Sequence, residues 1–219
     1  MRRVLLAAGL ITLPAAAFVP DRTLTGHMVE HLLIGVLAPL LVAAGAPVRT
    51  LLPHLRTPTR RRLVGLLHHP AVRALSRPAV SFPASIAVLL GVHLTPAFTV
   101  ALRHPWVHAT EHAALFWTGL IAWAGLLGVD PVGRRSGAIA RLAWVTAVMG
   151  AMAAVGATFL GSDRVLFPDG TASVADQHSA GTVMWLAAMG VLVPGGLAAC
   201  AHELWREEQR QRRREAVRS

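Results

Sequence analysis

The sequence predicts an all-α fold, a polytopic transmembrane helix bundle with about six spans. Three observations predict it. The 219 residues are 54% hydrophobic and only 15% charged, with a mean hydropathy of +0.52, which does not describe a soluble domain. Six apolar stretches stand out by length and lack of charge, at about 4–19, 27–48, 79–102, 106–128, 138–160 and 179–200, where a ~30 Å hydrocarbon core asks for roughly 20 residues per helix. The segments between them alternate between Arg-rich and Arg-poor without exception. Residues 1–200 therefore read as one helical bundle and 201–219 as a basic tail, with no sizeable extramembrane domain.

The first stretch follows Arg2 and Arg3 and ends in Ala15, Ala16 and Ala17, a pattern shared with cleaved signal peptides; a retained span is favoured over a cleaved signal. The second stretch runs into a basic segment, 49–78, that holds Arg49, Arg56, Arg60, Arg61, Arg62, Arg73 and Arg77. Only residues 103–105 separate the third stretch from the fourth. The turn at 129–137 before the fifth carries Arg134 and Arg135. The loop at 161–178 before the sixth holds Asp163, Asp169 and Asp176 against Arg164. The tail adds six Arg, so that seventeen lie on one side, against Arg22, Arg103 and Arg164 on the other, with Arg141 at the entrance of the fifth stretch uncounted. The positive-inside rule then places both termini in the cytoplasm and loops 20–26, 103–105 and 161–178 outside.

The net charge of +10 comes entirely from Arg, since the chain has no Lys. A nucleic-acid partner would need that charge on one face of a soluble module; here it lies between apolar stretches, so topology explains it and the bilayer is the expected partner. The basic tail suits anionic headgroups. A single cysteine, Cys200, excludes a disulfide framework and a CxxC metal site.

Eleven histidines remain. His54, His68, His69 and His202 fall on the Arg-rich side and read as solvated or headgroup-level side chains. The other seven, His27, His31, His93, His104, His108, His112 and His178, fall on the opposite side. Two stretches open with the same pattern, His-x-x-Glu-His: His27-Met28-Val29-Glu30-His31 and His108-Ala109-Thr110-Glu111-His112. The i, i+4 spacing puts both imidazoles of a pentad on one helix face, an arrangement that can hold a metal ion. Each Glu points about 100° away and can pair with a neighbouring helix or orient a ligand His.

A single His at the end of a span is ordinarily an interfacial anchor. Ionisable groups within spans are costly and line sites or pathways, which makes Glu30, Glu111 and His93 functional candidates. Neutral imidazoles suit several transition metals, and a thioether favours Cu(I); Met28 and Met184 are near enough in sequence to contribute, although methionine in a span is ordinarily packing. Copper is the favoured ion. Asp176 can cap a helix N-terminus or join the same layer. The expected metal site is therefore His27, His31, His93, His108, His112, Met28, Asp176 and His178, with Glu30 and Glu111 as outer-shell acceptors.

With these residues in view, the sequence resembles the CtaG-type membrane proteins required for assembly of caa-type cytochrome c oxidase. The likeness is carried by His27-Met28-x-x-His31-Leu32-Leu33, Ala38-Pro39-Leu40-Leu41 and Gly45-Ala46-Pro47. It continues in His68-His69-Pro70, His108-x-x-x-His112 and Asp176-Gln177-His178-x-Ala180-Gly181-x-x-x-Trp185. Members of that family often have a seventh span, and the first stretch departs most. The resemblance implies a multi-pass protein of the bacterial plasma membrane that meets cytochrome c oxidase subunits and helps mature its copper centres. It implies an assembly factor rather than an enzyme, and leaves homo-oligomerisation open.

Three other functions compete. A haem-binding membrane cytochrome would take two axial histidines, without covalent attachment because no CxxCH is present. An intramembrane metalloprotease would use the pentad as a zinc site, yet the pentad occurs twice and at a membrane boundary. A channel or transporter lacks a continuous polar path.

Overall fold

The structure, a computed structural model, describes residues 1–20, 23–130, 137–167 and 173–218. Arg22, Arg134, Arg135 and Asp169, which contribute to the topology argument, lie outside the described residues. Among the described residues every regular element is helical, as the composition predicts. The helices are α1 Arg2–Ala16, α2 Leu24–Ala44, α3 Pro47–Leu51, α4 Thr57–His68, α5 Pro70–Leu75, α6 Pro78–Leu94, α7 Ala97–Arg103, α8 Pro105–Leu127, α9 Ala138–Leu160 and α10, which runs Val174–Ala187, through a π turn at Ala188–Leu192, into Val193–Arg218.

Length and composition qualify α2, α9 and α10 to cross a membrane, and α6 with α7 adds a fourth if that bent pair counts as one span. That is three or four where the sequence predicts about six. α1 has 15 residues, short of the ~20 a span needs. α8 equals α9 at 23 residues and falls outside the group by composition, because it carries His108, Glu111 and His112. The stretch expected as one span at 79–102 is broken. Thr95 is extended (φ −124°, ψ 168°), as the residue before a proline tends to be, and α7 leaves α6 at 66°. The basic segment 49–78 forms the end of α3, a 3-10 turn at Leu52–His54, α4 and α5, and neither α4 nor α5 buries any residue. Nor does helix stop at 200: α10 carries it through the tail to Arg218.

Small residues set the closest crossings, as expected where helices must approach without bulky side chains between them. A Cβ at Gly119 on α8 would lie 2.6 Å from Gly35 O on α2. That carbonyl has lost its usual i+4 donor because residue 39 is proline, which has no N–H, and α2 relaxes there into a π turn at Leu33–Leu37. The α9–α10 crossing is reciprocal: a Cβ at Gly156 would meet Gly181 O at 2.9 Å, and one at Gly181 would meet Gly156 O at 2.8 Å. Between these crossings packs the core, which includes Trp123, Trp144, Met152, Phe159 and Met184.

Two polar contacts tie distant segments together. The Asp176 carboxylate at the start of α10 accepts from Leu24 N (2.7 Å), Thr25 N (3.1 Å) and Thr25 Oγ1 (2.6 Å). It thus caps α2, while Ser173 caps α10 itself by accepting from Asp176 N at 3.1 Å. Arg141 of α9, fully buried, pairs with Glu203 of α10 at 3.1 Å.

Candidate metal centre

α2 and α8 each begin with one of the pentads, and the Gly35–Gly119 contact one to two turns further on holds their axes close. The i, i+4 register then turns both pairs of imidazoles toward each other. Ring centroids are 4.2 Å apart for His27 and His31 and 4.0 Å for His108 and His112 within each helix. Between the helices they are 4.9 Å apart for His27 and His108, which stack, and 5.1 Å for His31 and His112. One ligating atom each from His27, His31 and His108 falls within a 4.8 Å span, and a second such set is Glu30, His108 and His112. Five of the ten expected site residues, counting Glu30, thus converge.

The two glutamates differ. Glu30 Oε1 lies 3.9 Å from His112 Nδ1, so Glu30 of one pentad reaches the histidines of the other and stands among the potential ligands. Glu111 is buried, in neither set, and neither of its carboxylate oxygens has a hydrogen-bond partner among the described residues.

His93 sits in the last turn of α6, behind His31 rather than beside the other rings. Its Nδ1 donates to Leu89 O at 2.7 Å. In the neutral ring Nε2 is then a lone pair, and it accepts from His31 Nδ1 at 3.2 Å. The network therefore assigns the His31 proton to Nδ1 and leaves Nε2 bare. His31 Nε2, His27 Nε2 and His112 Nε2 have no hydrogen-bond partner among the described residues. Buried polar atoms are ordinarily satisfied, so three open imidazole nitrogens in one place fit a metal better than they fit packing.

Asp176 and His178 stand outside both ligand sets. Asp176 is engaged at the N-terminus of α2, and His178 Nε2 lies 3.3 Å from Ser162 O. Met28 is fully buried in the apolar core. His104, at the start of α8, is exposed beside Trp106.

Two residues outside the expected set shape the centre. Phe98 of α7 packs edge-on against His27, with centroids 5.0 Å apart, and Phe167 packs on Phe98 at 4.5 Å. Because α7 leaves α6 at 66°, Phe98 reaches His27 and packs over it, and His27 is only 2% exposed. The sequence signal for this was Pro96 inside the third apolar stretch. Gln177, fully buried, holds the segment that delivers Phe167. Its Nε2 donates to Phe159 O at 3.2 Å and Arg164 O at 3.2 Å, and its Oε1 accepts from Leu166 N at 2.9 Å. Its sequence signal was its place in the Asp176-Gln177-His178 motif at the end of the polar loop. Below His31 and His93 lies a cavity of about 40 Å³ whose lining includes Ser85, Thr118, Met152 and Met184.

The family model for the cytochrome c oxidase caa3 assembly factor (CtaG) matches residues 4–206. Uncharacterized proteins of Mycobacterium bovis and Mycobacterium tuberculosis are each 31% identical over 177 residues, covering 73% of this chain and 26% of their own length. One of Mycobacterium leprae is 28% identical over 177 residues, covering 74% of this chain and 27% of its own. The chain thus spans about a quarter of the curated relatives it matches. No solved structure matches it significantly. With a family match over nearly its whole length, the chain belongs to the cytochrome c oxidase caa3 assembly factor (CtaG) family.

Proposed function

We propose that this membrane protein is an assembly factor that takes up copper as cargo in the imidazole cluster and delivers it to the copper centres of cytochrome c oxidase. One observation carries the reading: four imidazoles and a carboxylate from two helices converge, and three of the imidazole nitrogens have no hydrogen-bond partner among the described residues. Imidazole suits copper, and two buried thioethers, Met152 and Met184, beside the cavity under His31 suit Cu(I) in particular. The basic segments lie at the opposite end of the helices from the imidazoles, and this supports a centre facing outward from the bacterial plasma membrane with both termini in the cytoplasm. Oxidase subunits are then the partners that receive the metal.

The geometry favours copper over the alternatives. A haem needs an open slot for its macrocycle between two axial imidazoles; here the two diagonal pairs are 6.1 and 6.5 Å apart, but every ring also has another imidazole packed within 4.0–4.2 Å on its own helix, so the space between the rings is filled by imidazole. A pentad protease needs its Glu beside its own pair of zinc ligands; Glu30 reaches the other helix and Glu111 is in neither ligand set.

Metal analysis of the purified chain tests the reading. The expected result is one copper per chain, lost in His31→Ala and His112→Ala. Copper absent from the wild type, or retained in both variants, overturns it. In a deletion strain, oxidase activity is expected to fall and to recover in part with added copper.

A further inference from the structure

At the end of the bundle away from the imidazoles, the arm formed by α4 and α5 stands off the helices behind it. Between them runs a groove of about 1720 Å³. Its wall on α6 is Pro78, Phe82, Ile86 and Leu90, a single helix face at i, i+4 spacing. Ala140, Ala143 and Ala147 of α9 continue that wall, and Val64 and Leu67 of α4 line the side of the arm. Among the described residues, charge enters the lining through Arg73 and Arg77, with His68 beside them. Both arginines are exposed, and neither has a carboxylate partner among the described residues.

The dimensions identify the occupant. From Pro78 to Leu90 the α6 wall rises ~18 Å at 1.5 Å per residue, close to half of a ~30 Å hydrocarbon core. The groove is therefore about one leaflet deep, apolar along its length and cationic where the α5–α6 junction meets the headgroup layer. We propose that it holds one anionic phospholipid of that leaflet, its acyl chains along α6 and α9 and its phosphate on Arg73 and Arg77. A zwitterionic lipid brings its own ammonium to two guanidinium groups that lack a counter-ion, so it binds less well. Juxtamembrane arginines contribute about 1 kcal/mol each toward anionic lipid, or roughly five-fold in affinity per side chain. The proposal is independent of the metal centre.

The test is native mass spectrometry of the full chain in neutral detergent, titrated with dioleoylphosphatidylglycerol or dioleoylphosphatidylcholine. The expected result is a single retained phosphatidylglycerol, favoured about 25-fold over phosphatidylcholine for the two arginines together. The preference is expected to disappear in the double variant Arg73→Gln/Arg77→Gln, whose exposed positions leave the fold intact. Ala143→Phe, which fills the wall, should reduce retention of both lipids. Phosphatidylglycerol should raise the Tm of the wild type more than phosphatidylcholine does, and the two lipids should act alike on the arginine variant. Equal retention of the two lipids, or an arginine variant that keeps the preference, overturns the proposal. Displacement of phosphatidylglycerol by millimolar inorganic phosphate would also overturn it, since the site would then be one for a free anion.

Discussion

His31 Nδ1 lies 3.2 Å from His93 Nε2, and His93 in turn is anchored on Leu89 O at 2.7 Å. This relay fixes the tautomer of His31 and aims its Nε2 away from α6. Outer-shell partners of this kind are worth about 10–100-fold in metal affinity. His93→Ala is therefore expected to weaken copper binding by that factor while one copper per chain still binds at saturation. His31→Ala abolishes stoichiometric binding. X-ray absorption of the copper-loaded protein checks the role of His93: the number of imidazoles around the metal is the same in the His93 variant as in the wild type. A drop by one would make His93 a ligand.

The two pentads are alike in sequence and unlike in use, and their glutamates make this measurable. Glu30 is within reach of His108 and His112, whereas Glu111 is not in either ligand set. A carboxylate is a hard ligand and favours Cu(II) over Cu(I). Glu30→Gln should lower Cu(II) affinity on the order of ten-fold with a smaller effect on Cu(I). Glu111→Gln should leave both within a factor of about two. Competition titrations with chelators specific for each oxidation state check this, and equal effects of the two variants would remove the distinction.

Much of this arrangement was legible in the sequence, for physical reasons. Hydropathy and helical periodicity depend on local residues, so the all-α class and the second, fourth, fifth and sixth stretches were readable, as was the layer shared by His27, His31, His108 and His112. The pentads declared themselves because i, i+4 spacing fixes a helix face whatever the tertiary context. What was not legible depends on long-range contacts. That Asp176 would cap α2 rather than its own helix required knowing that α10 starts beside α2. That His93 would stand behind His31 required the α6–α7 break, and the covering role of Phe98 follows from the same bend. The helical arm at 57–75 was missed because neither of its helices has a buried face, leaving no apolar stripe long enough to announce it.

Gly119 is where the fold and the centre meet. A Cβ there would stand 2.6 Å from Gly35 O, a backbone atom that cannot swing aside as a flexible side chain can. Gly119→Ala should force α2 and α8 apart, at about 1–3 kcal/mol in stability, and should lower copper affinity although residue 119 is not a ligand. Gly181→Ala meets a comparable obstacle, Gly156 O at 2.8 Å, in the α9–α10 crossing. It should destabilise the fold by a similar amount, read as a lower Tm, and leave copper affinity unchanged. A metal titration beside a thermal melt of each variant distinguishes loss of stability from loss of the centre.

The Arg141–Glu203 pair offers a separate test of how α9 holds the long α10. Arg141 is 0% exposed and Glu203 5%, and their side chains approach to 3.1 Å. Removing one partner of a buried ion pair strands the other charge, at a cost of about 3–5 kcal/mol. Replacing both with apolar residues of similar volume often costs little, because the desolvation penalty disappears along with the attraction. Arg141→Met and Glu203→Met should each lower the Tm sharply, and the double variant should melt closer to the wild type than either single one. The centre lies at the far end of the bundle, so copper stoichiometry should survive in all three. Additive losses in the double variant would show that the two charges are not energetically coupled.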